Sequence, residues 1–112
     1  MDDNCIFCKV ITGNLKVPII HENETGIAIN DINPMAPQHF LIIPKFHVAN
    51  ILESGSLINL NKLFELVNLL VTEQELHNGF RLVVNTGDDG GQTVQHLHVH
   101  LLAGRNLKWP PG

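Results

Sequence analysis

The stretch His96-Leu97-His98-Val99-His100-Leu101-Leu102 places a histidine at every second position among apolar residues. Alternate side chains of a β-strand share one face, so a strand over residues 96–102 would align the three imidazoles and turn the intervening apolar residues the other way. The Cβ atoms of successive histidines would lie about 6.5–7 Å apart, since a strand rises about 3.3 Å per residue. Such a row can attack phosphorus, transfer protons or bind a metal ion.

Four further apolar segments predict strands, because each is bounded by proline, glycine or polar turn residues. They cover residues 18–21, 26–31, 39–43 and 80–85, and the histidine segment is the fifth strand. Most of these strands follow one another through short turns, which is typical of antiparallel pairing.

An apolar stripe at three- and four-residue steps predicts one long helix over residues 57–76. The stripe consists of Leu60, Leu63, Phe64, Val67, Leu70 and Val71. Ser56 is a suitable N-cap, and Gly79 follows the end, where a left-handed residue is favoured. A short helix over residues 5–12 is predicted between Asn4 as its cap and Gly13. The expected class is α+β, with a mainly antiparallel five-stranded sheet, one long helix and a short N-terminal helix.

Composition favours one globular domain, residues 1–112, because 44% of the residues are hydrophobic and only 16% are charged. A formal net charge of −4 without a Lys/Arg cluster argues against a nucleic-acid partner. No stretch reaches the roughly 18–20 apolar residues of a membrane span, so no membrane partner is expected. The acidic start, residues 1–4, lacks the form of a signal peptide, and we expect a cytoplasmic location.

The loop before the histidines carries groups that suit a phosphate. Gly90 and Gly91 permit positive φ and close backbone approach, and successive N–H groups there could form an anion-binding nest. Gln92 and Thr93 add neutral donors, and Asn85 could reach the same place. Because no Lys or Arg is needed, this set suits a single α-phosphate better than a triphosphate. The alternative is a tight hairpin loop whose glycines serve only its geometry.

Two cysteines with two residues between them, Cys5 and Cys8, have the spacing of redox motifs and of half a zinc site. A structural disulfide is not expected in the cytoplasm. The alternative is a pair of buried thiols that serve only packing.

Taken together, these motifs resemble the histidine triad (HIT) family, in its nucleotide-binding Hint-type branch of purine nucleoside phosphoramidases. The resemblance extends over nearly the whole chain. It is carried by Asp31-Ile32, Pro37-x-His39-Phe40-x-Ile42-Ile43-Pro44-Lys45-x-His47, Asn85, Gly90-Gly91-Gln92-Thr93, residues 96–102 and Trp109-Pro110-Pro111-Gly112.

This resemblance implies a hydrolase of purine nucleoside 5′-phosphoramidates or of acyl and aminoacyl adenylates, which releases the nucleoside monophosphate. It also implies a homodimer in which two sheets join into one. His98 would be the nucleophile and form a nucleotidyl-histidine that water hydrolyses. His100 would bind phosphate and protonate the departing amine, and His96 and His39 would support them.

The resemblance also implies the nucleotide-binding residues. Asn85, Gly91, Gln92 and Thr93 would position the phosphate, although many relatives have serine where this chain has Thr93. Asp31 would accept hydrogen bonds from the ribose hydroxyls. The base would lie among Ile6, Phe7, Val10, Ile29 and Ile32. Trp109 would either shape the partner's site or simply pack.

Some branches of the family hold a structural zinc ion, and its ligands there correspond to Cys5, Cys8, His47 and His96 of this chain. Zinc would connect the N-terminal helix to the sheet, and catalysis would not require it. His96 would then be a metal ligand, or otherwise a support for His98.

Three other functions stay open at this point. The chain could hydrolyse dinucleoside polyphosphates, as another family branch does. It could instead be a nucleotide-binding scaffold whose catalysis is incidental, or a metal carrier that uses the histidines and thiols.

Overall fold

A five-stranded antiparallel sheet is the central element of the computed structural model, which describes residues 4–112. The elements in chain order are α1 (Ile6–Thr12), β1 (His21–Glu22), β2 (Gly26–Asn30), β3 (Gln38–Pro44), a 3₁₀ turn (Ile51–Glu53), α2 (Leu60–Glu73), β4 (Phe80–Val83) and β5 (Val99–Ala103). The strands lie in the order β1-β2-β3-β5-β4. This confirms the predicted α+β class. Residues 1–3, which carry most of the acidic start, lie outside the described part of the chain.

The two faces of the sheet have different partners. Alternate residues of the strands turn to α2, and the residues between them turn to α1. The first cluster includes Ala28, Phe40, Ile42, Leu63, Leu66, Leu70, Val99 and Leu101. The second includes Cys5, Phe7, Cys8, Val10, Ile27, Ile29, Leu41 and Ile43. The face toward α1 is therefore the one on which side chains such as His100 emerge.

The long helix is shorter than predicted at both ends. It begins after Asn59, whose side-chain oxygen accepts a hydrogen bond from the Lys62 N–H at 3.1 Å, so Asn59 replaces Ser56 as the cap. It ends at Glu73 with Gln74 as its C-cap, and Glu75 takes the left-handed φ of 56° that was expected nearer Gly79. No helix in the described residues is both long enough and apolar enough to cross a membrane.

The buried face of α2 is rotated relative to the predicted stripe. Leu66 is fully buried, whereas Leu60 and Phe64 are 38% and 42% exposed. The predicted stripe and the buried face of α2 share Leu63, Val67 and Leu70. The sheet covers a narrower strip of the helix than the full row of apolar residues, which leaves the flanking positions open to solvent.

Helix α1 also differs at its start. Cys5 rather than Asn4 is the N-cap, and the Cys5 sulfur accepts a hydrogen bond from the Cys8 N–H at 3.3 Å. Gly13 ends the helix with φ 82°, as predicted.

All five predicted strands have different bounds. The second ends at Asn30, one residue before the predicted end, and the third, Gln38–Pro44, is one residue longer at each end than predicted. The first lies at His21–Glu22 instead of residues 18–21, and the fourth stops at Val83. The last begins at Val99, so residues 96–98 approach the sheet without joining its ladder. Pro44 has no N–H with which to continue the pairing, and the Leu97 N–H donates to the Val48 carbonyl instead. The three histidines therefore do not form one regular row.

Candidate active site

A cavity of about 390 Å³ lies on the face of the sheet toward α1. Many of the predicted site residues line it: Ile6, Phe7, Val10, Ile29, Asp31, Ile32, His39, Thr93, His98 and His100. The sequence did not single out the remaining lining residues, which are Leu15, Val17, Asn30, Asn33, Met35, Leu41 and Val94. Most of the lining side chains are apolar, and the polar ones are the three imidazoles, Asp31, Thr93, Asn30 and Asn33.

Strand register brings His39 and His100 together. Leu41 lies opposite His100 in the β3–β5 pair, so His39 is the diagonal neighbour of His100 on the same face. Their nearest ring nitrogens, His39 Nε2 and His100 Nδ1, are 2.9 Å apart. The His98 ring also contacts that of His100, with ring centroids 5.0 Å apart.

The backbone fixes the tautomer of His98. Its Nδ1 lies 2.7 Å from the carbonyl oxygen of His96, which can only accept, so Nδ1 carries the proton and donates it. In the neutral ring Nε2 is then left with a lone pair, in a side chain that lines the cavity. Burial lowers the pKa of His98 below its ordinary value, against smaller opposing effects of the His96 hydrogen bond and the Asp31 charge. The ring is therefore neutral near pH 7.

A second backbone group fixes the tautomers of His39 and His100. The Met35 N–H donates to His39 Nδ1 at 3.0 Å, so the proton of the neutral His39 ring is on Nε2. That N–H donates to His100 Nδ1, which leaves Nε2–H as the donor of His100. Asp31 reinforces the arrangement, since its Oδ2 lies 3.4 Å from His39 Nε2. Its Oδ1 accepts the Asn33 N–H at 2.8 Å.

Burial keeps His100 neutral. Burial lowers the pKa of His100 to about 4, and the charges that His98 and His39 would carry when protonated add to this effect. The Asp31 charge acts in the opposite direction but is smaller. A bound phosphate would bring negative charge close to this ring and raise its pKa.

Stability should therefore fall with acid below pH 6.5, and His100 should account for part of the fall. Above pH 6.5 His100 is neutral in the folded and unfolded states. Between pH 6.5 and about 4 only the unfolded chain takes up this proton, which favours unfolding as the pH drops. The contribution is at most about 3 kcal/mol, and less because solvent reaches part of the ring.

Urea unfolding at several pH values measures this contribution. In His100→Gln the loss of unfolding free energy between pH 6.5 and 4 should be smaller than in the wild type. The exposed His77 offers a matched variant, His77→Gln, whose pH dependence should equal that of the wild type. Equal slopes for His100→Gln and the wild type would contradict the low pKa.

Gln92 has a different position from the one expected of a phosphate donor. Its Nε2 donates to the carbonyl oxygens of Ala49 and Val94 at 2.6 and 3.0 Å, and its Oε1 accepts the Gly87 N–H at 3.1 Å. Both amide hydrogens are thus used, and the side chain is buried outside the cavity lining. Gln92 holds the loop in place beside Thr93, whose side chain does line the cavity.

The glycine-rich loop also uses backbone N–H groups for its own shape. The Gly91 N–H donates to the Asp88 carbonyl, and the Gln92 N–H donates to the Gly87 carbonyl. Gly90 is required because a Cβ there would meet the Thr86 carbonyl oxygen. The predicted nest of free N–H groups is therefore not present at positions 87, 91 and 92.

Besides Gln92, three more of the predicted nucleotide-binding residues lie outside the cavity lining. Asn85 is half-buried just after β4, and Gly91 is exposed with φ 78°. Trp109 is 81% exposed in a C-terminal segment that Arg81 holds by donating to the carbonyl oxygens of residues 107 and 108. Nothing within the described chain brings Trp109 to the cavity.

A second group of ligand-type side chains lies next to the cavity. Cys5, Cys8, His47 and His96 offer two sulfurs and two ring nitrogens within 4.8 Å of one another. The closest contacts are 3.2 Å between Cys5 Sγ and His96 Nδ1, 3.3 Å between Cys8 Sγ and His47 Nδ1, and 3.0 Å between the two Nδ1 atoms. Ligands of a tetrahedral zinc ion lie about 3.3–3.8 Å apart, from bond lengths of about 2.0–2.3 Å.

His96 has the tautomer that a metal ligand requires. Its Nε2 lies 2.8 Å from the Pro44 carbonyl oxygen and donates to it, which leaves a lone pair on Nδ1 toward the cysteines. Burial lowers the pKa of His96 and favours this neutral form. The donor set therefore fits zinc, through Cys5, Cys8, His47 and His96.

Asp31, His39 and His100 also lie within 4.8 Å of one another, but their hydrogen bonds argue against a metal ion there. A metal-binding histidine normally donates its other ring N–H to an acceptor. His39 Nδ1 instead accepts the Met35 N–H, so binding metal at Nε2 would leave the ring without any proton. This group is a hydrogen-bond relay.

The chain is similar in sequence to known proteins over nearly its whole length. The chain is 43% identical over 114 residues to an uncharacterized HIT-like protein of Synechococcus elongatus, covering all of both chains. It is 39% identical over 116 residues to a 14 kDa zinc-binding protein of Zea mays, covering 99% of this chain and 90% of that protein.

A solved structure shows the same fold. The HIT family hydrolase from Clostridium thermocellum superimposes with a TM-score of 0.89 at 44% identity, covering 96% of each chain. A family model described as the HIT domain matches residues 12–107. The chain therefore belongs to the HIT domain family.

Proposed function

We propose that this protein is a nucleotide-binding hydrolase of the Hint-type branch. Its substrates would be purine nucleoside 5′-phosphoramidates or aminoacyl adenylates, and the P–N or acyl-phosphate bond would be cleaved to release the nucleoside monophosphate. The supporting observation is the His98 ring, whose Nδ1–H is held by the His96 carbonyl while its Nε2 lone pair is available in the cavity. A similar solved structure is named a HIT family hydrolase.

The reaction divides into two displacements at phosphorus. In the first, His98 Nε2 forms a bond to phosphorus and the P–N bond of the substrate breaks. The amine leaves with the Nε2 proton of His100, which would have taken up a second proton on Nδ1 when the substrate phosphate was bound, and His100 returns to a neutral ring with Nε2 free to accept. In the second, water attacks phosphorus, the bond to His98 breaks, and the nucleoside monophosphate is released. The two protons of water then go to His100 and to the product or solvent.

The cavity offers a place for each part of the nucleotide. Thr93 carries a hydroxyl that would donate to a phosphate oxygen, and Asp31 would accept from the ribose hydroxyls. The purine would lie against apolar lining side chains such as Ile6, Phe7 and Ile29. A hydrogen bond that strengthens as charge develops at phosphorus can contribute roughly 3–4 kcal/mol to the rate.

We also propose a homodimer. β4 is an edge strand of the sheet and is longer than β1 at the opposite edge, so it offers the better place for a second sheet to add. In such a dimer Trp109 would reach the partner's cavity, which would account for its exposure in one chain. The cytoplasmic location also stays a prediction.

A direct test is to capture the nucleotidyl-histidine. The protein is mixed with excess adenosine phosphoramidate and stopped with base, because phosphorus–imidazole bonds are labile in acid. Mass spectrometry of the digest should find an adenylyl group on His98. An adenylyl group on another residue, or none during active turnover, would contradict the mechanism. Faster cleavage of a diadenosine polyphosphate would favour the other family branch.

We propose zinc as the ion held by Cys5, Cys8, His47 and His96, in line with the zinc-binding name of the Zea mays relative. Zinc would cross-link α1 to the sheet, and four protein ligands leave no open position for substrate. Elemental analysis should find about one zinc per chain and much less in Cys8→Ala. Less than a tenth of an equivalent in the wild type, purified without chelators, would contradict the assignment.

A further inference from the structure

We propose that metal binding at the Cys5–Cys8–His47–His96 cluster controls nucleotide affinity, because Phe7 and the His96 backbone connect this cluster to the cavity. The inference rests on the proposed function and adds a form of regulation to it. The metal would act by positioning Phe7 and His96.

The first connection is the helix α1. Cys5 and Cys8 flank Phe7, so two metal ligands and one wall of the cavity lie on the same helical turn. The Phe7 ring makes edge contacts with His96 of the metal cluster and with His98 of the cavity. The distances between ring centroids are 5.9 Å and 5.0 Å. A shift of this turn would therefore change the space around His98.

Helix α1 depends on other parts of the chain for its position. It has seven residues, and helices this short are not stable alone in water. Its buried side chains on the sheet are Phe7, Cys8 and Val10. Two of these three line the cavity, and the third belongs to the metal cluster. The metal ion would thus hold the base-side wall in place.

The second connection is His96 itself. Its ring belongs to the metal cluster, and its backbone carbonyl accepts the Nδ1–H of His98 at 2.7 Å. The ring is also held from the other side, because its Nε2–H donates to the Pro44 carbonyl at 2.8 Å. Movement of the His96 ring would shift the His96 backbone carbonyl, and this carbonyl orients His98.

Loss of the metal should loosen both connections. The four donor atoms converge at 3.0–3.5 Å. Without a cation the electron pairs of these donors face one another, and only thiol or imidazole protons remain to bridge them. We expect α1 to leave this position part of the time, which lowers the fraction of chains that are able to bind nucleotide.

The test measures the coupling between two ligands. Calorimetric titration with AMP is done on zinc-loaded protein and on protein stripped with a chelator, with circular dichroism to check folding. We expect AMP to bind about tenfold more weakly without zinc. Because coupling is reciprocal, competition with a chromophoric chelator should show AMP tightening zinc binding by the same factor.

Two variants distinguish the connection through Phe7 from a general effect on the fold. Phe7→Leu keeps the metal ligands but removes the ring contacts, so zinc should still bind while the zinc-dependent change in AMP affinity shrinks at least threefold. Lys9→Ala alters an exposed residue of the same helix and should show the wild-type coupling.

Equal AMP affinity in zinc-loaded and zinc-free protein would overturn the inference, as would full coupling in Phe7→Leu or the absence of zinc binding. If the zinc-free protein unfolds, chelator competition still measures how much AMP tightens zinc binding. This tightening should be smaller in Phe7→Leu than in the wild type, and equal tightening in the two proteins would overturn the inference. Failure of zinc-loaded protein to bind AMP would instead refute the proposed function itself.

Discussion

Replacing His98 with asparagine should lower kcat for an adenosine phosphoramidate by about 10⁴-fold or more and leave AMP affinity within a few-fold of the wild type. The asparagine amide nitrogen occupies nearly the position of Nδ1 and can still donate to the His96 carbonyl, so the local backbone is retained. What is lost is the Nε2 lone pair. Steady-state kinetics and AMP titration measure the two quantities separately.

The exposed His77 provides the control, since His77→Asn removes an imidazole remote from the cavity and should keep wild-type turnover. Turnover by His98→Asn within tenfold of the wild type would show that another group attacks phosphorus. A loss of AMP binding equal to the loss of turnover would show that His98 acts mainly in binding.

The sequence predicts the fold class from local patterns, whereas most of the predicted cavity residues came from the resemblance to a known family. Alternating apolar residues place Ile29 and Leu41 on one face of the sheet, and the histidine spacing places His98 and His100 beside them. The contact between His39 and His100 depends on the β3–β5 register, which no single segment determines. The resemblance to a known family supplied His39, as it supplied Ile29 and Asp31.

The exact limits of the elements depend on competing local interactions. Ser56 and Asn59 are both good caps, and only the packing of the following residues decides for Asn59. The rotation of α2 that buries Leu66 and exposes Phe64 depends on how the twisted sheet meets the helix. Sequence periodicity determines neither the choice between the two caps nor the rotation of α2.

The sequence could not assign polar partners inside the site. Gln92 has the donors expected for phosphate, but the Ala49 and Val94 carbonyls use them. The tautomer of His39 is set by the backbone N–H of Met35, which every residue except proline could provide. No signal in the sequence identifies that contact, and yet the donor nitrogen of His100 follows from it.

The second large effect is expected for His100→Gln, and its size should depend on the leaving group. Glutamine keeps an N–H near the position of Nε2 and can still donate to a phosphate oxygen, but it cannot deliver a proton. Departure of an amine requires that proton, whereas a carboxylate leaves without one. We therefore expect kcat to fall about 10²–10³-fold for an adenosine phosphoramidate and less than tenfold for an acyl adenylate.

This dependence separates proton donation from phosphate binding, because the nucleotide part is the same in both substrates. An equal loss for the two leaving groups would show that His100 only binds phosphate, and the proton would then have to come from another donor or from water. The low pKa that burial gives His100 does not prevent the role, since a bound phosphate places negative charge near the ring and raises that pKa. Substrate binding would thus create the acid. The second proton would enter at His100 Nδ1, and the His39 N–H would turn from that nitrogen to Asp31 Oδ2, which lies 3.4 Å away. The Nε2 proton of His100 would then be available for the leaving amine.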